Sequence, residues 1–251
     1  MTTKGSMARA CVDAIGLVLL VFGAASAQER APIAQTTAAQ WSGFHVGGEI
    51  GQAWNSYTWN MNANYYNTLG ANLLGSTVSE AQSGLMGGAL GGYTWAVGPV
   101  LLGGELSVRT GGPSQQTTSP WFPATDVYRT DVYWRASVTA RAGYAWDRLQ
   151  VFAKAGWAGA DVGRTIIDRG TGITASSQRW VNGWTVGAGA EYMVFPGIAL
   201  GLTWDYTDLS ASGEAMNCPR CGTGVGLGSP VVDSNIRLNA VMARITFRPG
   251  L

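Results

Sequence analysis

Charge is scarce in this 251-residue chain: Asp, Glu, Lys and Arg make up 12% of it, about half the share of a soluble domain. The two signs nearly cancel, leaving a formal net charge of +1. Basic residues are scattered, so the basic stripe of a nucleic-acid binder is missing. Histidine occurs once and cysteine three times. No long apolar run follows the N-terminal segment, which excludes a chain of membrane-spanning helices. Glycine and tryptophan are abundant instead, at 36 and 11 residues. Many glycines and aromatics with few charges suit strands whose outer face meets lipid and whose inner face is crowded.

The N-terminus reads as an export signal. Lys4 and Arg9 form a positive region, 15–22 is a short apolar core, and Ala25-Ser-Ala27 is a small-x-small cleavage site. The apolar core is shorter than the ~20 residues a helical span needs. A signal peptide is therefore expected over 1–27, with a polar, Ala/Thr-rich periplasmic lead-in over 28–40. Cys11 should leave with the signal.

After residue 40 the sequence alternates with period two, the mark of half-buried strands. Over 132–146, one face carries Val132, Trp134, Ala136, Val138, Ala140, Ala142, Tyr144 and Trp146. The other carries Tyr133, Arg135, Ser137, Thr139, Arg141 and Gly143. Similar alternation marks 44–54, 85–95, 100–108, 149–157, 184–194 and 198–206. The last segment, 235–247, changes parity near Asn239, which suggests a bulge. Eight strands of about ten residues result, the length that a tilted strand needs to cross a bilayer. Trp and Tyr gather at their ends, as in interfacial girdles.

Connections alternate in length. Val97-Gly-Pro99, Asp147-Arg148 and Phe195-Pro-Gly197 are tight turns, whereas 55–83, 110–130, 161–181 and 209–234 read as long polar loops. Short turns on one side and long loops on the other is the outer-membrane barrel pattern. Strands in lipid cannot leave edge N–H and C=O groups unpaired, so the sheet must close. The expected architecture is all-β: an eight-stranded antiparallel up-and-down transmembrane barrel over 41–251, placed in the outer membrane.

The inward face then carries Glu49, Glu105, Glu191 and Asp205 against Arg135, Arg141, Lys154 and Arg244. An eight-stranded barrel is only wide enough for its own side chains to fill it, and buried charges must pair or stay hydrated. A salt-bridged lining is expected, with a narrow ion path as the rival. Strand glycines such as Gly47, Gly48, Gly87, Gly88, Gly91, Gly92, Gly187 and Gly189 would make room for inward neighbours. The run from Gly222 to Gly228 lacks the strand–loop–helix context of a phosphate site.

Catalytic signals are thin. His45 lies near the periplasmic end of the first strand with no Ser and acid visibly grouped with it, so it reads as a polar lumen residue. A lipid-modifying enzyme is the alternative it leaves open. Cys218 and Cys221 in an oxidising compartment make a candidate local disulfide. A redox pair would need a thioredoxin-like setting, and zinc would need further ligands. No cofactor and no catalytic residue is expected.

A family resemblance rests on three segments. Trp41-Ser-Gly-Phe-His-Val-Gly-Gly-Glu-Ile-Gly51 resembles the opening strand of the small porin-like immunogenic outer-membrane proteins of alpha-proteobacteria. Gly183-Trp-Thr-Val-Gly-Ala-Gly-Ala-Glu-Tyr192 and Leu202-Thr-Trp-Asp-Tyr-Thr-Asp-Leu209 resemble that family's sixth and seventh strands. The resemblance implies an OmpA-like barrel associated with outer-membrane integrity, surface antigenicity and host contact. Such barrels usually end on an aromatic residue; here Phe247 is followed by Arg-Pro-Gly-Leu251, implying an internal or weaker insertion signal. The implied partners are outer-membrane lipids, the barrel-assembly machinery, and host or environmental surfaces reached by the loops, with no nucleic acid. A structural or surface-interaction role is expected. A narrow porin-like channel and a soluble periplasmic lipid carrier, which would place apolar residues inside, are the other readings.

Overall fold

The computed structural model describes residues 38–63, 75–112, 114–120, 122–221 and 228–249. The expected signal peptide, the lead-in up to residue 37 and the glycine run from Gly222 to Gly226 lie outside the described residues. A 3-10 turn, Ala38–Trp41, leads into nine strand segments: β1 (Gly43–Ala63), β2 (Thr77–Val97), β3 (Val100–Gly111), β4 (Ser114–Thr118), β5 (Asp126–Trp146), β6 (Leu149–Asp168), β7 (Ile173–Phe195), β8 (Ile198–Ala215) and β9 (Val231–Phe247). All pairings between them are antiparallel. The order β3-β2-β1-β9-β8-β7-β6-β5-β4 closes on itself through β3–β5.

The barrel wall has eight staves, because β3 and β4 share one. β5 pairs first with β3, up to Thr110↔Trp134, and then with β4 from Ser114↔Asp131. Between the two segments Gly111 and Gly112 adopt φ of 77° and 115°, backbone that only glycine enters at little cost. The opposing register of β5 against β6 shifts between Val132 and Trp134. That bulge corrects one assignment of the sequence reading. Tyr133, expected inside, is 48% exposed, and Val132, expected on the lipid side, packs against an interior cluster.

Strands are about twice as long as the alternation suggested. At ~3.4 Å per residue and a ~45° tilt, a stave such as β5 rises about 50 Å, against an apolar band of about 25 Å. Most of what reads as long polar loops is therefore continuing hairpin wall. The outward face marks the membrane. A lower girdle contains Phe44, Tyr93, Trp95, Tyr144 and Trp146, with ring centroids 4.5–4.7 Å apart. An upper girdle contains Trp134, Trp157 and Trp180, at 4.7 and 6.2 Å, together with Trp184 and Tyr206. Between them the outward residues are apolar and open, including Val46, Ile50, Leu102, Leu106 and Val138.

Above the upper girdle the same faces exchange character. On β1 the outward positions become Ser56, Thr58 and Asn60, while the inward ones become Tyr57, Trp59 and Met61, each at most 2% exposed. They join Tyr128, Val162, Ile166, Val181, Leu209, Met216 and Ile236 in one interior cluster. The bulge expected near Asn239 is absent: β9 pairs without a shift from Asn235 to Phe247 on both sides. Its apparent change of parity is this exchange, since Ile236 and Leu238 face the apolar interior and Arg244 and Thr246 the charged one.

Candidate functional site

The lower interior is built from alternate positions that all point away from lipid. β1 supplies His45 and Glu49, β3 Glu105 and Arg109, β5 Arg135 and Arg141, and β6 Lys154. Glu191 comes from β7, Asp205 from β8 and Arg244 from β9; all are under 9% exposed. β2 contributes small inward positions instead, Gly88 and Gly92. A Cβ on Gly88 would meet the Arg109 side chain at 2.9 Å, and one on Gly92 the His45 ring at 2.8 Å.

Glu105 is the hub. Its Oε2 accepts from Arg244 Nη2 at 2.6 Å and Arg141 Nη1 at 2.9 Å, and its Oε1 accepts from Lys154 Nζ at 3.2 Å. His45 Nε2 lies 3.7 Å away. Lys154 continues to Asp205 Oδ1 at 3.0 Å. Arg109 then joins Asp205, at 2.6 Å, to Glu49, at 2.5 and 3.1 Å. In the other direction, Glu191 accepts from Gln150 Nε2 at 2.5 Å and Arg141 Nη2 at 3.4 Å, and lies within ion-pair distance of Arg244 Nε at 3.2 Å and Arg248 Nη2 at 3.5 Å. Arg141 lies over the Phe152 ring, 3.6 Å from its centroid, a cation–π contact on an interior aromatic. A single network thus runs from Glu49 to Arg248.

The mouth at the tight-turn end is stoppered. Trp41 is fully buried among Leu101, Ala145, Met193 and Ala199. Its Nε1 donates to the Asp147 carbonyl at 3.3 Å, and its own carbonyl accepts from Arg248 Nη1 at 2.9 Å.

Each lumen residue singled out from sequence lies inside, and Arg109 and Arg248 join them. Among the described residues, Glu49, Glu105, Glu191 and Asp205 share this lower interior with Arg109, Arg135, Arg141, Lys154, Arg244 and Arg248, two more cations than carboxylates. Arg109 lies one residue beyond the segment 100–108, and Arg248 follows the last strand. Continuing the odd parity of Glu105 and Ser107, and the even parity of Arg244 and Thr246, would have found both. Trp41 and Phe152 carry no such signal, because an inward apolar residue breaks the pattern being sought.

Arg135 stands apart. It touches the Met86 thioether and, among the described residues, forms no ion pair and leaves its buried Nε without a hydrogen-bond partner. Higher up, within the outer collar, Arg164 pairs with Glu214, whose other oxygen accepts from Ser177 at 2.6 Å. Cys218 and Cys221 are disulfide-bonded, with Cα atoms 5.4 Å apart. Neither His45 ring nitrogen has a hydrogen-bond partner among the described residues.

Two predictions arise from this packing. Gly187 faces inward beneath Lys154 and Asp205, and a Cβ there would run into the Asp205 carboxylate and lie 3.2 Å from Lys154 Cε. Gly187→Ala is expected to cost about 1–3 kcal/mol by overpacking, read as a lower urea midpoint. At the outer tip, burial first and then the nearby Asp168 hold the Asp126 carboxyl above its ordinary range, against a hydrogen bond from Thr125. A raised carboxyl pKa makes the ionised form unfavourable in the folded state. Asp126→Asn should therefore stabilise the barrel at neutral pH. The gain should shrink as pH falls through the raised folded value and vanish below the ordinary aspartate range, as thermal melts across pH would record.

A family model for the outer membrane protein beta-barrel domain matches residues 15–228. The 31 kDa outer-membrane immunogenic proteins of Brucella melitensis biotype 1 and Brucella suis biovar 1 are each 32% identical to this chain over 130 residues, 50% of this chain and 54% of theirs. The chain thus spans about half the length of the curated relatives it matches. Among solved structures, the outer membrane protein OprG from Pseudomonas aeruginosa is 14% identical, covering 82% of this chain and 97% of its own, with a TM-score of 0.47. Neisserial surface protein A is 12% identical over 82% of this chain and 97% of its own, with a TM-score of 0.43.

Proposed function

The chain belongs to the outer membrane protein β-barrel family, and on that premise we propose that it is a closed structural barrel of the outer membrane that presents a rigid collar to the exterior. The observation that carries this reading is the filled interior. The ion-pair network reaches inward from seven of the staves, the Trp41 turn sits beneath it, and the apolar cluster sits above it. A solute would have to part all three layers. Barrels with open aqueous channels have about sixteen strands or more.

Planar-bilayer recording on the detergent-purified barrel tests the reading. The expected record is flat, and reproducible discrete conductance steps would replace the closed barrel with a narrow channel. Catalysis is no part of the proposal, because His45 lies beside Glu105 and a cluster of guanidinium groups, with no hydroxyl on either ring nitrogen among the described residues. Lipid analysis of an overexpressing strain checks this. Lipopolysaccharide and phospholipid should be unchanged, whereas a modification abolished by His45→Ala would make the protein a lipid-modifying enzyme.

The expected partners follow the surfaces. Lipid chains meet the apolar band, the assembly machinery receives the strands, and the outward polar positions of the collar, such as Ser56, Thr58 and Asn60, are free to meet a host or environmental surface.

A further inference from the structure

Where the charged layer meets the apolar cluster there is a small cavity of about 20 Å³, with Leu209, Leu238 and Ala158 among its lining residues. Its polar lining comes from Arg109, Arg135, Lys154, Asp205 and the hydroxyls of Ser107, Ser137, Thr139, Thr185 and Thr207, of which Arg109 is held by Glu49 and Asp205 and Thr139 donates to the Glu105 carbonyl. These groups can be counted as donors and acceptors. Asp205 Oδ2 accepts from Arg109, and its Oδ1 lies 3.0 Å from the Lys154 ammonium but takes no hydrogen bond. Thr207 donates to Thr185, which donates to the Tyr206 carbonyl, so both of their protons are engaged.

The donors remain in excess. Ser107 and Ser137 share one hydrogen bond of 2.8 Å, and the accepting hydroxyl keeps its own proton. Lys154 has three protons and two carboxylate contacts, at 3.2 and 3.0 Å. Arg135 brings five N–H groups, a buried Nε without a partner and, among the described residues, no carboxylate in ion-pair contact. A buried cation without a counter-charge is costly.

We propose that this cavity is a binding site for one small monovalent anion of halide size, seated between the Arg135 guanidinium and the Ser107–Ser137 hydroxyl pair. The charge of the anion offsets the cation that the network leaves unpaired. Size sets the selectivity: a water-sized particle needs at least ~10–15 Å³, so the cavity takes a halide and excludes sulfate or phosphate. Its apolar roof offers such oxyanions no further donors.

Crystals of the full barrel grown with bromide in place of chloride provide the direct test. An anomalous peak is expected against Arg135 and Ser137. Unfolding in lipid vesicles, compared in chloride and in gluconate at equal ionic strength, gives the functional measure. At a free anion concentration about 100 times its Kd, the folded-to-unfolded ratio should rise roughly 100-fold. Arg135→Met should fold without the halide and lose both signals, since an apolar side chain of similar volume often replaces a buried charge without loss. Ser137→Ala, which keeps the charge, should weaken the halide dependence several-fold and guards against misfolding of the first variant. Water alone at the site, equal stability in both salts, or a halide dependence that survives Arg135→Met each overturns the proposal. A bromide peak without any effect on stability means an adventitious ion only, and overturns it as well.

Discussion

Glu105→Gln is expected to destabilise the barrel by about 3–5 kcal/mol, a large part of the stability of most folded domains. The reason is the concentration of contacts on one carboxylate. Arg141, Arg244 and Lys154 all lie within 3.2 Å of its oxygens, and none of the four side chains has more than 5% of its surface exposed. Glutamine keeps the volume but turns an acceptor-only group into one that also presents N–H donors to three cations. In an interior already rich in guanidinium groups, the cations cannot turn to water. Equilibrium urea unfolding in lipid vesicles measures the loss. Adding Arg244→Met should return part of it, because the second change removes one of the stranded charges; this is the coupling a double-mutant cycle isolates. A loss under about 1 kcal/mol would mean that the lumen is hydrated and its ion pairs behave like those of an exposed surface.

The second large effect concerns the outward face of β1, where two positions of equal parity should answer oppositely to the same substitution. Ile50 lies in the apolar band and is 63% exposed. Arginine there would stand in hydrocarbon, at a cost of about 2–4 kcal/mol near the midplane. Thr58 points to the same side of the same strand but lies beyond the upper girdle, next to Asn60 and Ser56. Thr58→Arg should cost within about 0.5 kcal/mol, as at an ordinary solvated surface. Equal responses from the two sites would remove the membrane boundary from where the girdles place it.

That boundary also explains what could and could not be read from sequence. Alternation found all eight staves, the closed topology and the tight turns, because lipid outside and charge inside give each residue pair a sharp contrast. On β9 the contrast reverses beyond the girdle without any slip of register between Asn235 and Phe247. Tyr57 and Trp59 then look like stray aromatics in a polar loop, and 235–247 looks bulged at Asn239. The real irregularity, at Val132 and Tyr133, was invisible because Val and Tyr both pass as outward residues. The charged lumen was legible through Glu49, Glu105 and Arg244, whose charges fit no other place on a membrane strand. The isolation of Arg135 was not, because it depends on Arg109 reaching both Glu49 and Asp205, a matter of side-chain reach that spacing does not encode. Trp41 was read as part of an opening motif, and its role as a stopper needed the three-dimensional position of Arg248.

The seam between the first and last strands carries a further consequence. β1 and β9 are laddered from Val46↔Phe247 up to Ala63↔Val231, with one irregularity near the top. The flank where the two ends of the wall meet is therefore zipped along nearly its full height, like the hairpin flanks beside it. An acyl chain in the surrounding leaflet therefore finds no sideways entrance at that seam, and the first and last strands cannot part there without breaking the ladder between them.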